Sequence, residues 1–152
     1  MRAVAVTSLF LWAMLSAAQQ PTSIDELVEL IRRAPAYDGH PAQLRVRNVG
    51  DDAIEGLTIV FPNGVVEFGD VPAGAATEYE QLDGGVFTSA AYRFEADGER
   101  VIQPVIDWAG AVPLEGERFT YYIELVRLVR PSFPVVPGVP RVGISRVDVS
   151  ED

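Results

Sequence analysis

Few residues in this chain have side chains suited to catalysis. It contains one histidine, His40, and no cysteine, so a nucleophile would have to be a serine or threonine with His40 held against it as the base. His40 lies in residues 37–41, a stretch with glycine and proline that is typical of a surface loop. The Gly-x-Ser-x-Gly sequence of a nucleophile elbow is missing. We therefore interpret His40 as a loop residue and predict a protein that is not an enzyme.

Acidic residues are plentiful enough to make metal binding a separate question. Zinc sites use closely spaced cysteine and histidine ligands, which this chain cannot supply. Calcium needs only oxygen ligands, and acids cluster at residues 51–55 and 78–83. Neither cluster has the spacing of an EF-hand loop or a calcium-binding nonapeptide repeat. We interpret both clusters as solvated strand ends and predict no metal and no cofactor.

Aromatic and proline side chains are the remaining candidates for contact with a ligand or partner. Exposed Trp and Tyr can stack on sugars, which makes Trp108, Tyr121 and Tyr122 candidates, with core packing as the alternative. Prolines recur at every third residue from 131 to 140, an alignment on one ridge of a polyproline II helix. Pro134 and Pro137 in this ridge could dock into an aromatic groove of a protein, or the segment could be a rigid spacer.

The net charge argues against two classes of partner. The formal charge is −10 at neutral pH, from 22 acidic and 12 basic residues. A surface this acidic repels phosphate backbones and anionic lipid headgroups. We therefore predict no nucleic-acid partner and no attraction to membrane surfaces.

Residues 1–18 have the three parts of a secretory signal peptide. Arg2 precedes an apolar run from Val4 to Leu15, and small residues follow, ending at Ala18. The run of about 12 residues is too short for a hydrocarbon core that needs about 20, although an uncleaved anchor or a core helix is the alternative. Cleavage would release a periplasmic or secreted protein with no membrane span, and without cysteine that protein has neither disulfide nor lipid anchor.

Apolar periodicity predicts the elements that must position the candidate residues. Residues 21–34 predict a short helix with a capping box of Ser23 and Glu26 and an apolar stripe at helical spacing. The stripe could pack on the domain's own core or on a partner. Residues 43–128 alternate in about seven short segments separated by turns. This pattern predicts an antiparallel immunoglobulin-like β-sandwich, with a barrel as the second possibility.

Turn residues mark the ends of strands within the predicted sandwich. Asn63-Gly64 and Asp97-Gly98 each predict a tight hairpin, because both residues of such turns tolerate positive φ. Pro104 within the predicted strand 100–108 argues for an edge position or a bulge, since proline has no N–H to donate.

The chain thus falls into four predicted segments. The last is a Pro-rich extension, in which residues 142–149 are either a weakly ordered tail or an added edge strand. The segments are a signal peptide (1–18), a helix and loop (19–42), the β-sandwich (43–128) and the extension (129–152).

Turn glycines and aromatic residues form a pattern that covers over half the chain. It comprises Phe68–Val71, Ala73-Gly74, Tyr79, Ala91–Arg93, Gln103–Gly110, Pro113-Leu114, Gly116 and Phe119–Tyr121. This pattern resembles a group of exported bacterial proteins, often lipoproteins, that are built as small β-sandwiches and have no assigned function. The resemblance implies the fold, but no activity and no catalytic residue. The chain differs from the lipoprotein members in lacking the anchoring cysteine and in carrying the Pro-rich extension.

These features predict an exported, non-catalytic β-sandwich module that makes protein contacts in the cell envelope. A carbohydrate-binding module with Trp108 as its best stacking residue is one alternative. A small hydrolase is the other, because the sequence cannot give the distance between a pair of carboxylates.

Overall fold

The protein is described here by a computed structural model that covers most of the chain. The described residues are 23–33, 40–104, 111–127 and 142–152, with only the backbone at Arg33 and Arg146. The predicted signal peptide and proline ridge lie outside these residues, as does Trp108.

The described residues form one helix and eight strands. Helix α1 spans Ile24–Arg33. The strands are β1 (Ala42–Asn48), β2 (Ile54–Phe61), β3 (Gly64–Val71), β4 (Glu80–Leu82), β5 (Ala91–Ala96), β6 (Glu99–Gln103), β7 (Arg118–Arg127) and β8 (Val142–Glu151).

The strands form two four-stranded sheets that pack against each other. Sheet A has the order β4-β1-β7-β8, and sheet B has the order β3-β2-β5-β6. Among the described strands, β1 and β7 are parallel and the other neighbours are antiparallel. The predicted mainly β sandwich preceded by one short helix is confirmed, with eight strands in place of about seven and one parallel pair within sheet A.

The core between the sheets follows from alternation along the strands. In β1 the side chains of Leu44 and Val46 are fully buried, while those between them face outward. Tyr121 in β7 is fully buried, and its ring lies edge-on to Phe61 with centroids 6.0 Å apart. Its hydroxyl donates to the carbonyl oxygen of Phe87, which satisfies the one polar group that this ring brings into the core. Burial raises the pKa of Tyr121.

Helix α1 packs on the outer face of sheet B and not on the core between the sheets. The backbone N–H of Glu26 donates to Ser23 Oγ at 3.1 Å, half of the predicted capping box. Buried side chains of the helix stripe, including Val28, contact Val60 and Ala91. Strand β2 is therefore buried on both faces near its end. Within the described residues, no helix is both long and apolar enough to cross a membrane.

The two predicted hairpins form, but one turn lies a residue earlier than expected. Asp97 and Gly98 have φ values of 54° and 73° between paired Ala96 and Glu99, as predicted. In the other hairpin Phe61 pairs with Gly64, so the loop is Pro62-Asn63 and Gly64 begins β3. The fixed φ of proline suits the first position of a turn, which explains why Pro62 belongs to the loop.

The sandwich extends beyond the predicted boundary at residue 128. Strand β8 pairs with β7 along its length, so the added edge strand is the alternative that forms. An extra residue, Ser145, interrupts the register between Ile144 and Arg146, and its hydroxyl donates to the carbonyl of Glu124. This bulge accounts for the break in apolar alternation in this segment.

Strand β6 ends at Gln103, directly before Pro104, and lies at the edge of sheet B as the proline predicted. The end of the predicted strand 100–108 lies outside the described residues.

Candidate functional site

The outer face of sheet A carries the polar side chains of three adjacent strands. The parallel register of β1 and β7 places Arg45 opposite Thr120 and Arg47 opposite Tyr122. We call this surface the polar face. Its residues are Gln43, Arg45 and Arg47 of β1, Arg118, Thr120, Tyr122 and Glu124 of β7, Asp148 and Ser150 of β8, and the flanking Tyr79 and Asp152.

One carboxylate of the polar face is bound by three side chains from different parts of the sequence. The hydroxyls of Tyr79 and Thr120 each donate to Asp152 Oδ2 at 2.5 Å. Arg45 Nη2 lies 3.4 Å from the same oxygen, and Arg45 Nε donates to the hydroxyl oxygen of Thr120 at 2.9 Å. The backbone N–H of Asp152 donates to the carbonyl of Arg118. These bonds hold the polar face together from Tyr79, just before β4, to the end of β8.

The Tyr79 ring also lies against two guanidinium groups. The Cζ atoms of Arg45 and Arg118 lie 4.9 Å and 5.4 Å from the ring centroid, within the range of cation–π attraction. Arg118 Nε donates to Gln43 Oε1 at 2.9 Å. Both arginines are therefore oriented by contacts within the polar face.

These contacts change the acidity of the two groups that share the short bond. Hydrogen bonds from Thr120 and Tyr79, together with the nearby charge of Arg45, lower the pKa of Asp152. The bond to the Asp152 carboxylate raises the pKa of Tyr79. A carboxylate with a lowered pKa is a weak general base, and a phenol with a raised pKa is a weak acid. The arrangement is better suited to holding a fixed surface than to transferring protons.

Of the predicted contact residues that the structure describes, Tyr121 is buried in the core between the sheets. Tyr122 lies on the polar face. Its side chain is half-buried, and its hydroxyl oxygen accepts a long hydrogen bond from Ser150 Oγ at 3.5 Å. Arg47 and Asp148 flank it in register. Because Trp108, Pro134 and Pro137 lie outside the described residues, sugar stacking and proline docking remain predictions.

The structure describes His40 and the acid clusters that were considered for catalysis and calcium binding. His40 is exposed just before β1. In the 51–55 acid cluster, Asp52 pairs with Arg127 at 2.8 Å, and Arg127 also contacts Asp97 at 2.7 Å. The hydrogen bond from Arg127 lowers the pKa of Asp52. Among the described residues, no three His, Cys, Asp or Glu side chains form a group that could hold a metal ion.

A shallow groove of about 390 Å³ lies beside the N-terminal end of α1. Its two guanidinium groups are already paired, because Asp25 of the helix binds Arg93 at 2.7 Å and Arg100 at 3.0 Å. Carboxylates line much of the rest, at Glu55, Asp70 and Glu95. We therefore treat the groove as part of the helix attachment.

Sequence reasoning missed most of the polar face. The alternation of residues 43–128 was predicted, and Tyr79 belonged to the resemblance pattern, but neither observation marked a site. The missing information is the pairing of β1 with β7, strands that lie about 75 residues apart. A parallel pair leaves no hairpin signal in the sequence.

Comparison of the chain with models of protein families, with curated proteins and with solved structures found no match. A functional proposal for this protein therefore rests on the geometry of the polar face and on the sequence.

Proposed function

We propose that the protein is an exported, non-catalytic β-sandwich module that makes protein contacts in the cell envelope, with the polar face as its contact surface. The observation that carries this proposal is that the outer face of one sheet is covered and the outer face of the other is not. Helix α1 packs on the outer face of sheet B, whereas no described element packs on the polar face of sheet A.

The composition of the polar face supports a protein partner. Tyrosine and arginine are enriched among the residues that contribute most to protein–protein binding. Here Tyr79, Arg45 and Arg118 are held by one another and by Asp152. A surface that is ordered before binding loses less side-chain entropy when a partner docks.

The exported location in this proposal comes from the signal-peptide pattern of residues 1–18. The resemblance to exported β-sandwich proteins supports the same compartment. Mass spectrometry of the protein recovered from a periplasmic fraction or culture medium should give a mature chain that starts at Gln19. Recovery of the full-length chain with the cells would contradict export.

Site-specific photo-crosslinking in intact cells tests the contact surface. A photoreactive residue at position 122 lies on the polar face, and the matched control at position 88 replaces the exposed Thr88, which is not one of the residues of that face. We expect a discrete adduct from position 122 that the control does not give. Equal labelling from both positions, or monomer alone from both, would overturn the proposed surface.

A further inference from the structure

Two guanidinium groups on the polar face have no carboxylate partner among the described residues. Arg118 uses Nε for Gln43 and lies over the Tyr79 ring, and its Nη atoms have no hydrogen-bond acceptor within the described part of the chain. Arg47 is exposed opposite Tyr122, and no described acceptor contacts it. Both groups therefore keep donors that can bind an acceptor from outside.

The same surface already shows which chemistry such an arginine binds. Arg45, which lies against the Tyr79 ring, contacts the carboxylate of Asp152. Arg118 repeats the placement beside that ring, and Arg47 lies beside a second tyrosine in register. A guanidinium group presents several N–H donors in a planar fork that matches a carboxylate. Carboxylates are therefore the groups that Arg118 and Arg47 are suited to bind.

The strand register sets the spacing between these two arginines. Arg118 lies opposite Gln43, four residues before Arg47 on β1. With a rise of about 3.3 Å per residue and a strand spacing of about 4.8 Å, their Cα atoms are about 14 Å apart. In an extended chain, residues i and i+4 point to the same side and lie about 13 Å apart.

From this match we infer that the polar face binds an extended acidic segment of a partner protein, with two carboxylates four residues apart. One carboxylate pairs with Arg118 and the other with Arg47. This inference rests on the proposed function and specifies its partner.

Because the whole protein is acidic, an acidic partner can be bound only through direct contact between its carboxylates and the two arginines. A chain with a net charge of −10 repels an acidic partner at long range, but salt screens that repulsion beyond about 8 Å in physiological solution. Attraction then depends on carboxylates that reach both arginines together. A second copy of this chain would bring the same net charge, so the segment belongs to a different protein.

Two pentapeptides of equal charge and composition test the spacing. The first is acetyl-Asp-Ser-Thr-Ser-Asp-amide, and the second is acetyl-Ser-Asp-Asp-Thr-Ser-amide, titrated into the mature protein. Arginine Nε–Hε signals are followed by ¹⁵N NMR. We expect the first peptide to shift the signals of Arg47 and Arg118 and to bind about two- to fivefold more tightly, the effect of one additional exposed ion pair.

Matched variants connect that preference to the two arginines. Arg47→Gln and Arg118→Gln should each remove the preference, while Arg32→Gln at an exposed position of α1 should retain it. Unchanged circular dichroism shows that each variant is folded. Equal binding of the two peptides, or shifts at Arg93 and Arg100 in place of the polar face, would overturn the inference.

The results separate this inference from the proposed function. If position 122 crosslinks a partner and the peptides show no spacing preference, the acidic-segment inference fails and the contact surface stands. If the preference is present and position 122 gives no adduct, the carboxylate chemistry is supported and the envelope partner is not.

Discussion

The outer faces of the two sheets differ in polarity and in what covers them, although side chains alternate between inward and outward positions in both sheets. On sheet B, β2 and β5 place Val60 and Ala91 outward, and an apolar stripe that includes Val28 and Ile31 covers them. The side chains of the polar face on sheet A are charged, polar or aromatic, and no described element covers them. An apolar face must be removed from water to contribute to stability, whereas a polar face can remain exposed and recognise a partner.

The arginines on the two outer faces also differ in whether they pair with a carboxylate. On sheet B, Arg93 and Arg100 both pair with Asp25 of the helix. On sheet A, Arg45 pairs with Asp152, while Arg47 and Arg118 have no described carboxylate partner. Exposed ion pairs contribute little stability, so their main effect is to orient side chains. We therefore expect apolar burial to hold the helix, and substitutions on the polar face to cost less stability than the loss of that burial.

The largest expected effect comes from placing a charge beneath the helix. Val28 is 3% exposed against sheet B. In Val28→Asp, a carboxylate must enter this apolar contact or the helix must leave it, and we expect a loss of about 3 kcal/mol in the free energy of unfolding. Urea denaturation followed by circular dichroism measures the change.

Glu29→Asp is the control for that substitution, because it places the same residue type on the exposed side of the helix. Its effect should stay within about 0.5 kcal/mol. If Val28→Asp were equally mild, the outer face of sheet B would not depend on the helix for its stability.

Local sequence signals were enough to predict helix α1 and its apolar stripe, but not the surface on which the stripe packs. The stripe and the cap at Ser23 are read from residues close together in sequence, because helical contacts join positions three or four apart. The stripe packs on Val60. If β2 is assumed to have only one buried face, the sequence predicts that Val60 faces solvent. Strands covered on both sides read as continuous apolar runs, as Ile59–Phe61 do at the end of β2.

The polar face could be predicted only in part, since it is assembled from distant segments. Tyr122 was identified because it is an aromatic residue on an outward position. Its neighbour Arg47 and the Tyr79–Asp152 bond depend on strand pairing, which no local pattern specifies. The bulge at Ser145 also made β8 harder to predict, because it interrupts the apolar alternation that marks a strand in the sequence.

Removing the bound carboxylate should have the next largest effect, this time on the polar face. Asp152→Ala leaves the hydroxyls of Tyr79 and Thr120 without their acceptor. We expect the free energy of unfolding at neutral pH to fall by about 1–2 kcal/mol. Asp83→Asn, at an exposed position, is the control and should change it little.

The effect of Asp152→Ala should depend on pH. The pKa of Asp152 is lowered in the folded protein from its ordinary value of 3.8, so its contribution is present above 3.8 and is lost as pH falls through the lower folded value. Urea curves of wild type and variant should therefore differ at pH 7 and converge towards pH 2. A difference that stays constant would mean that the side chain acts by packing alone.

A smaller effect should separate the two tyrosines of the polar face. Tyr79→Phe removes a hydroxyl that donates at 2.5 Å to Asp152, whereas Tyr122→Phe removes only a 3.5 Å contact with Ser150. Both variants keep the ring. We expect a lower urea midpoint for Tyr79→Phe than for wild type, by less than Asp152→Ala causes, and an unchanged midpoint for Tyr122→Phe. The reverse order would show that the hydrogen bond to Asp152 does not support the face.

The smallest expected effect is at the ion pairs that join the helix to sheet B. The hydrogen bond from Arg93 and the charge of Arg100 lower the pKa of Asp25, but this carboxylate is exposed to solvent, which weakens such pairs. Asp25→Asn should therefore leave the urea midpoint close to that of wild type, with the same result in high salt. A shift as large as that of Val28→Asp would mean that charge, and not the apolar stripe, holds α1 in place, and the contrast between the two outer faces would then be one of charge alone.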